Sequence, residues 1–396
     1  MDNLSEEFFD FIKKNLNEDP LALRLKNSPD KFDFDLDLAI LQIESRRKYA
    51  VKLKEFLDNP RFLFPDSISG EQSSHQAIAK YHSSLVGTKQ KILDISAGLG
   101  IDSLSIAKNG NEVTAIEINP GKATILEHNA FSLGLDNFKV VNIDSIEYLK
   151  TSPETFDIIF ADPARRDTSN KKVYNLHDCA PDVLKYQDLL LEKAPRILIK
   201  ASPLLDISQT IRDFPNIKSI KAVGVKGECK EMLIELERGY SGETLTEAVN
   251  LDNSGNVVSR FIHTFGHSGS PLTYISEEDL KEGSYILEPS AMLMKLAPWE
   301  SIASSFNARK FGKSTHLFLS EEKPADFPGR VSRFEKIIKK NDRKSLSGLP
   351  ASVVSKNHPL SSEEIRKSLR LKEGDQNFIY AVRIGEKPLM FISKIL

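Results

Sequence analysis

Cysteine is scarce in this 396-residue chain, with Cys179 and Cys229 the only two. Two thiols make neither a disulfide framework nor a cysteine-rich zinc site, and no metal is expected. Long apolar runs are missing too. None approaches the ~20 residues that cross a membrane. The opening M-D-N-L-S-E-E-F-F-D is acidic and lacks the basic start and apolar core of a secretory leader. A cytoplasmic protein is expected. Net charge is almost absent, at −2, which argues against strong polyanion binding by the chain as a whole. There is no internal repeat and no low-complexity tract. Hydrophobic and charged fractions of 40% and 28% are those of a globular chain, and the length predicts two or three domains.

What is present is organised around Lys91 to Pro163. K-I-L-D-I-S-A-G-L-G is an apolar run ending in Asp94, followed by a turn holding Gly98 and Gly100. The stretch I-D-S-L-S-I-A-K then reads as a helix. This pattern predicts a buried parallel strand, a tight turn and a helix start with unpaired N–H groups. Three further apolar runs end in acids: E-V-T-A-I-E in Glu117, K-V-V-N-I-D in Asp144, and F-D-I-I-F-A-D-P in Asp162-Pro163. Strands alternating with helices predict right-handed βαβ units and a parallel sheet. Ligands bind beyond the carboxyl ends of such strands, so all four acids line one edge. Glu117 lies 19 residues past Gly98, the distance at which an acid reaches ribose hydroxyls. The dinucleotide fingerprint G-x-G-x-x-G fails at Ser103, which disfavours a dehydrogenase.

Residues 1–88 carry apolar residues at three- and four-residue spacing and predict a small helical domain. Ser73 or Ser74 is expected to cap the helix before the first strand, with His75 and His82 as surface histidines. R-I-L-I-K-A-S predicts a fifth strand that brings Lys200 to the ligand edge, and two more strands close the catalytic domain at about residue 240. Residues 243–275 predict a hairpin. The stretch Val331–Lys344 predicts an amphipathic basic helix. The last module reads as strand, helix and hairpin, its helix capped by Ser361 or Ser362, in a ferredoxin-like arrangement. Residues 301–396 hold 19 Lys/Arg against 10 Asp/Glu. Such asymmetry hints at nucleic-acid contact, and a merely basic surface explains it about as well.

The series of strand-end acids resembles the class I S-adenosylmethionine-dependent methyltransferases, from roughly Lys91 to Arg238. E-P-S-A-M-L-M-K, D-P-A-R-R, K-A-S-P-L-L-D and the closing N-H-P-L-S-S-E-E-I-R-K resemble the bacterial group with a THUMP-like domain and a terminal ferredoxin-like domain. The resemblance implies an α/β fold with a Rossmann-like seven-stranded sheet, a helical N-terminal domain and small α+β C-terminal modules. The expected boundaries are 1–88 helical, 89–240 catalytic, 241–342 THUMP-like and 343–396 ferredoxin-like. The implied cofactor is S-adenosyl-L-methionine, met by Asp94, Ser96, Ala97, Gly98, Gly100, Glu117, Ile118, Asp144, Ser145 and Asp162. The implied partner is RNA, tRNA or rRNA.

Asp162, Pro163 and Arg165 are the catalytic candidates, and Arg165, Arg166 and Lys200 the substrate-binding ones. In amino-methyltransferases of nucleic acids the matching motif is an acid or amide, two prolines and an aromatic ring. Here Ala164 replaces the second proline and Arg165 the ring. A guanidinium plane also stacks on bases and binds phosphate, as would Lys171 and Lys172 further along the loop. Cys179, 17 residues past Asp162, is a poor match to a carbon-methylating nucleophile and reads as structural, as does Cys229. His177-Asp178 reads as incidental. The alternatives are a methyltransferase acting on protein or a small molecule, and a non-catalytic RNA- or nucleotide-binding protein.

Overall fold

The computed structural model describes residues 4–165, 176–267 and 269–396. Apolar runs become strands β1 (Lys91–Asp94), β2 (Glu112–Ile116), β3 (Phe138–Val141), β4 (Ile158–Ala161), β5 (Arg196–Ala201), β6 (Ile217–Val225) and β7 (Glu228–Glu237). β4 is buried throughout, and β1 and β2 nearly so. Helices covering both faces of a parallel sheet require such runs. β1 pairs in parallel with β2 and β4, β2 with β3, and β4 with β5, while β7 runs antiparallel beside β5. Within its compact unit the order is β6-β7-β5-β4-β1-β2-β3. Strand order reverses between β1 and β4, the place where such sheets open a crevice.

The chain divides into two compact units, and neither begins at residue 89. The first holds the N-terminal helices and the sheet as far as Thr244, apart from residues 227–229, and takes in Leu251–Val257. Residues 1–88 are helical as expected, with helices Glu6–Asn15, Pro20–Lys26, Leu36–Lys48 and Gln76–Val86. They do not stand apart. Tyr49, Leu53, Phe56, Phe62 and Phe64 share one core with Leu99, Ile101, Leu104 and Leu126 around the first βα turn. The earlier helices close a cluster of their own, from Phe8 and Phe9 through Phe34, Ile40 and Ile43 to Leu63, while the aromatic side chains of Tyr49 to Phe64 are buried against the sheet layer.

Arg46 fastens the connecting segment. Its guanidinium donates to the carbonyls of Leu57 (3.2 Å), Asn59 (3.2 Å), Pro60 (2.7 Å) and Phe62 (2.7 Å). A stretch without regular structure leaves carbonyls without backbone partners, and one planar fork of donors reaches four, of which Asn59 also accepts from Phe62 N.

The second unit takes Gly227–Cys229, Leu245–Asn250 and Val258–Leu396. The hairpin expected for 243–275 is present as β8 (Leu245–Leu251) and β9 (Val257–Thr264). Strands β10 (Tyr285–Pro289), β11 (Ala308–Lys310), β12 (Phe318–Ser320), β13 (Gly329–Ile337), β14 (Ser352–Lys356), β15 (Asn377–Ile384) and β16 (Lys387–Ile395) form one sheet, ordered β11-β12-β10-β13-β16-β15-β14. The expected boundary at 342/343 therefore falls inside one continuous sheet. The basic helix expected at Val331–Lys344 is strand β13 and a short 3-10 turn, Lys340–Arg343. Pairing with β10 and β16 on both sides overrides its helical spacing. Ser361 does cap the helix Ser362–Leu369, in a capping box with Glu364.

Arg46→Ala strips the carbonyls of Leu57, Pro60 and Phe62 of this donor, Asn59 keeping the Phe62 N–H, and should lower stability by about 2–4 kcal/mol. Arg24→Ala, which removes only the exposed pair with Asp37, should cost within about 0.5 kcal/mol. Denaturant unfolding of the two variants checks the contrast.

Candidate active site

A cavity of about 1510 Å³ lies at the carboxyl ends of the parallel strands, and the first unit alone supplies its lining. β1 ends at Asp94, which is buried and accepts from the Ser96 N–H at 2.9 Å. Burial pushes its carboxyl up to about 7, the Ser96 N–H opposes this, and Asp102 adds to it. The following turn needs left-handed backbone at Gly98 (φ 56°) and Gly100 (φ 82°). A Cβ on Gly100 would meet Leu126 Cδ1 at 2.2 Å, whereas one on Gly98 would meet nothing within 4 Å. Gly98 thus leaves open space beside the cavity. Glu117, just past β2, accepts from Gly98 N at 2.9 Å and from Asn119 N at 2.8 Å, one on each oxygen.

Ser96, Ala97, Ile118, Asp144, Ser145 and Pro163 line the same cavity, and Ile118 is 66% exposed. Asp144 does not end a strand as expected. β3 stops at Val141, and Asp144 caps the helix Ser145–Thr151, where one carboxylate oxygen accepts from Ile146 N and Glu147 N. A short polar side chain that can bond its own backbone prefers such a cap to a ladder position.

Register brings the other residues together. Ala161 on β4 faces Ile199 on β5, so the next pair along is Asp162 and Lys200. Lys200 Nζ donates to Asp162 Oδ2 at 2.6 Å and to Ser74 Oγ at 2.7 Å. Ser74 donates to Asp102 Oδ2 at 2.5 Å. Asp102 Oδ1 lies 2.8 Å from His82 Nδ1, and His82 Nε2 lies 2.6 Å from Glu231 Oε1. Burial alone would discharge His82, but Glu231 and Asp102 on either side raise it to about 10. Burial alone would raise Asp102, but Lys200, His82 and Ser74 hold it at about 2. Burial raises the Asp162 carboxyl, with Lys200 opposing. Lys200 is raised, because Asp162, Asp102 and Glu231 outweigh its desolvation.

Two expectations fail here. His82 is not on the surface but 0% exposed. It lies four residues after Ile78 and four before Val86, both buried on the helix Gln76–Val86, so helical periodicity could have placed it inside. The helix cap is His75, whose Nδ1 accepts from Ala77 N at 3.1 Å, since Ser74 is drawn to Asp102 and Lys200. Sequence reasoning also missed Asp102 and Glu231. Asp102 sits in the first turn of the helix Ile101–Lys108, where an acid reads as a dipole partner. Glu231 reaches this edge because β7 is antiparallel, with Met232 opposite Ala201.

Arg165 pairs by its backbone with Cys179, next to Ala164 with Ala180. Cys179 therefore lies beside the Asp162 motif and lines the cavity, which its distance in sequence did not suggest. The side chain of Arg165, and Arg166, Lys171 and Lys172 altogether, lie outside the described residues. His177 Nε2 lies 4.0 Å from Asp213 Oδ2.

His82→Leu strands two buried carboxylates and should destabilise the protein by about 3 kcal/mol or more. A histidine whose folded pKa lies near 10 against 6.5 contributes stability that is full below pH 6.5 and lost as pH rises through 10. The gap between wild type and variant in denaturant melts should therefore shrink from pH 6.5 towards pH 10. A gap that stays constant or widens contradicts the charge assignment.

Three stretches of the chain match family models: residues 73–191 the model described as conserved hypothetical protein 95, 285–328 a ferredoxin-like domain, and 330–394 a THUMP domain-like segment. The two C-terminal modules come in the reverse of the expected order, because strand, helix and hairpin after residue 351 do not separate one α+β module from the other. An uncharacterized RNA methyltransferase of Mycoplasma mobile is 32% identical over 84 residues, 21% of this chain and 23% of that protein. Ribosomal RNA small subunit methyltransferase J of Coxiella burnetii is 32% identical over 131 residues, 29% of this chain and 50% of that protein. The chain thus spans half or less of the length of these relatives. A crystal structure of a Porphyromonas gingivalis W83 protein, assigned provisionally as a methyltransferase, superposes with a TM-score of 0.85 at 24% identity, covering 99% of both chains. From strand order to C-terminal sheet, the chain has the α/β fold of the class I methyltransferases, carrying a ferredoxin-like and then a THUMP-like segment.

Proposed function

We propose that the protein is an S-adenosylmethionine-dependent methyltransferase that acts on an amino group of an RNA base. The observation that carries this reading is one cavity that gathers Asp94, Gly98, Glu117, Asp144 and Asp162-Pro163 at the carboxyl edge of a parallel sheet. The residues fit the cofactor. Each Glu117 oxygen accepts one backbone N–H, which leaves lone pairs for two ribose hydroxyls. Asp144 uses one oxygen for its cap and keeps the other for an adenine amino group. Ile118 offers an exposed apolar side beside them. Ser96, Ala97, Gly100 and Ser145 complete the wall.

Bound S-adenosylmethionine supplies an activated methyl group whose leaving sulfur departs as a neutral thioether. The protein must hold the acceptor in line with that methyl and keep its lone pair free. An acceptor nitrogen uses that lone pair for the new N–C bond and sheds one proton. In this reading Asp162 and the carbonyl of Pro163 accept from its N–H groups, Arg165 and Arg166 are the substrate-side cations, and Lys200 stands behind Asp162. The names of the relatives, the THUMP domain-like segment and the basic residues 301–396 support RNA as the substrate.

Glu117→Ala should weaken cofactor binding by about 100-fold or more, the loss of two charged hydrogen bonds, without unfolding the chain. Asp162→Ala should keep that binding and lose turnover. Calorimetry with S-adenosylmethionine and transfer of labelled methyl to total RNA, DNA and protein check both. Label in protein or small molecules alone would move the substrate. Binding without transfer to any fraction would favour a non-catalytic RNA- or nucleotide-binding protein. Unchanged binding in Glu117→Ala would remove the ribose assignment.

A further inference from the structure

The side chains behind Asp162 form an unbroken chain: Asp162, Lys200, Ser74, Asp102, His82, Glu231, each 2.5–2.8 Å from the next. They come from six places in the fold, namely the end of β4, β5, the segment before the helix Gln76–Val86, the helix Ile101–Lys108, the helix Gln76–Val86 itself, and β7. Side-chain exposure rises along the chain, from 0% at His82 and 3% at Glu231 through 10% at Asp102 and 13% at Lys200 to 36% at Asp162. His82 is sealed in the core, while the other members border the cavity, Asp162 the most open of them. Burying five ionisable groups is a poor route to stability, since packed apolar side chains of similar volume do as well or better. The arrangement makes sense by what it does at its open end.

We propose that Lys200 is a positioning residue for methyl transfer: the chain from Glu231 through His82, Asp102 and Ser74 pins its ammonium on Asp162 Oδ2, leaving Oδ1 to take the N–H of the acceptor and then its proton. The inference rests on the function proposed above and adds to it the group that orients Asp162 and keeps it charged. Lys200 retains its own three protons throughout. The proton shed by the methylated nitrogen passes to Asp162 Oδ1 and from there to water in the cavity. The chain itself sets two cations against three carboxylates and suits a neutral acceptor that donates hydrogen bonds.

The test separates this inference from the function itself. Protein labelled with 15N-lysine should show a slowly exchanging ammonium resonance that disappears in Lys200→Met. That resonance should shift in Asp162→Asn and also in His82→Gln, three links away. No such resonance, or one that His82→Gln leaves unmoved, overturns the chain whether or not any acceptor is found. In the transfer assay, Lys200→Met should lower kcat about 10- to 100-fold, with KM for S-adenosylmethionine unchanged and Lys200→Arg recovering most of the loss. The limb of the pH profile set by Asp162 should move to higher pH in Lys200→Met, because a cation has gone while Asp102, Glu231 and Asp94 remain close, with His82, Lys52 and Lys230 among the described cations nearby. Unchanged kcat and an unmoved limb would overturn the proposal. Absence of transfer by the wild type would sink the function and leave the resonance to decide the chain.

Discussion

An ammonium group withdrawn from water must be met by carboxylates or give up its proton. Lys200 is met by Asp162 at 2.6 Å, with Asp102 at 3.9 Å and Glu231 further back. These partners come from separate elements, so the charge can be satisfied only when β4, β5, β7 and the two helices are all in place. The same requirement explains why a histidine sits wholly inside the protein in its charged form. Without His82 between them, Asp102 and Glu231 would be like charges sharing one buried space. The edge of the sheet is held by a requirement for neutralisation as well as by apolar packing.

That edge does two kinds of work side by side. On the β1–β2 side the backbone dominates, with left-handed glycines, a carboxylate on their N–H groups and an open space where Gly98 has no side chain. On the β4–β5 side ionised side chains dominate. Asp94 sits where the two meet, its carboxyl raised by burial and by Asp102 and Asp162. It serves the turn through the Ser96 N–H, and Ser96 in turn accepts from Asp162 N at 2.6 Å. The turn and the Asp162 motif are therefore tied by one serine between them.

Much of this was legible in the sequence. Apolar runs closing in Asp94, Glu117 and Asp162 mark strand ends because a buried parallel strand has no other place for a charge, and Lys200 follows from the length of the fifth run. Asp144 was legible as a cavity residue but not as a cap. The buried half of the chain was not legible. His82 and Asp102 lie on helices where a lone polar residue is ordinarily a surface residue, and Glu231 lies on a strand whose direction decides which edge it reaches. Val331–Lys344 misled for a related reason, since its spacing satisfies a helix until neighbouring strands supply the hydrogen bonds that make it β13.

By itself the sequence determined the alternation of elements, the glycine turn and the acids that end the strands, because these depend on periodicity and backbone sterics over a few residues. Tertiary structure alone decided which charges become buried together, that the segment from Tyr49 to Phe64 shares the core of the sheet, and that the C-terminal strands join in one sheet. Those outcomes depend on register and strand direction between segments far apart in the chain, from Ser74 to Glu231. No local pattern carries the free energy of a charge whose partner lies 38 residues away, as for Lys200 and Asp162, or 149, as for His82 and Glu231.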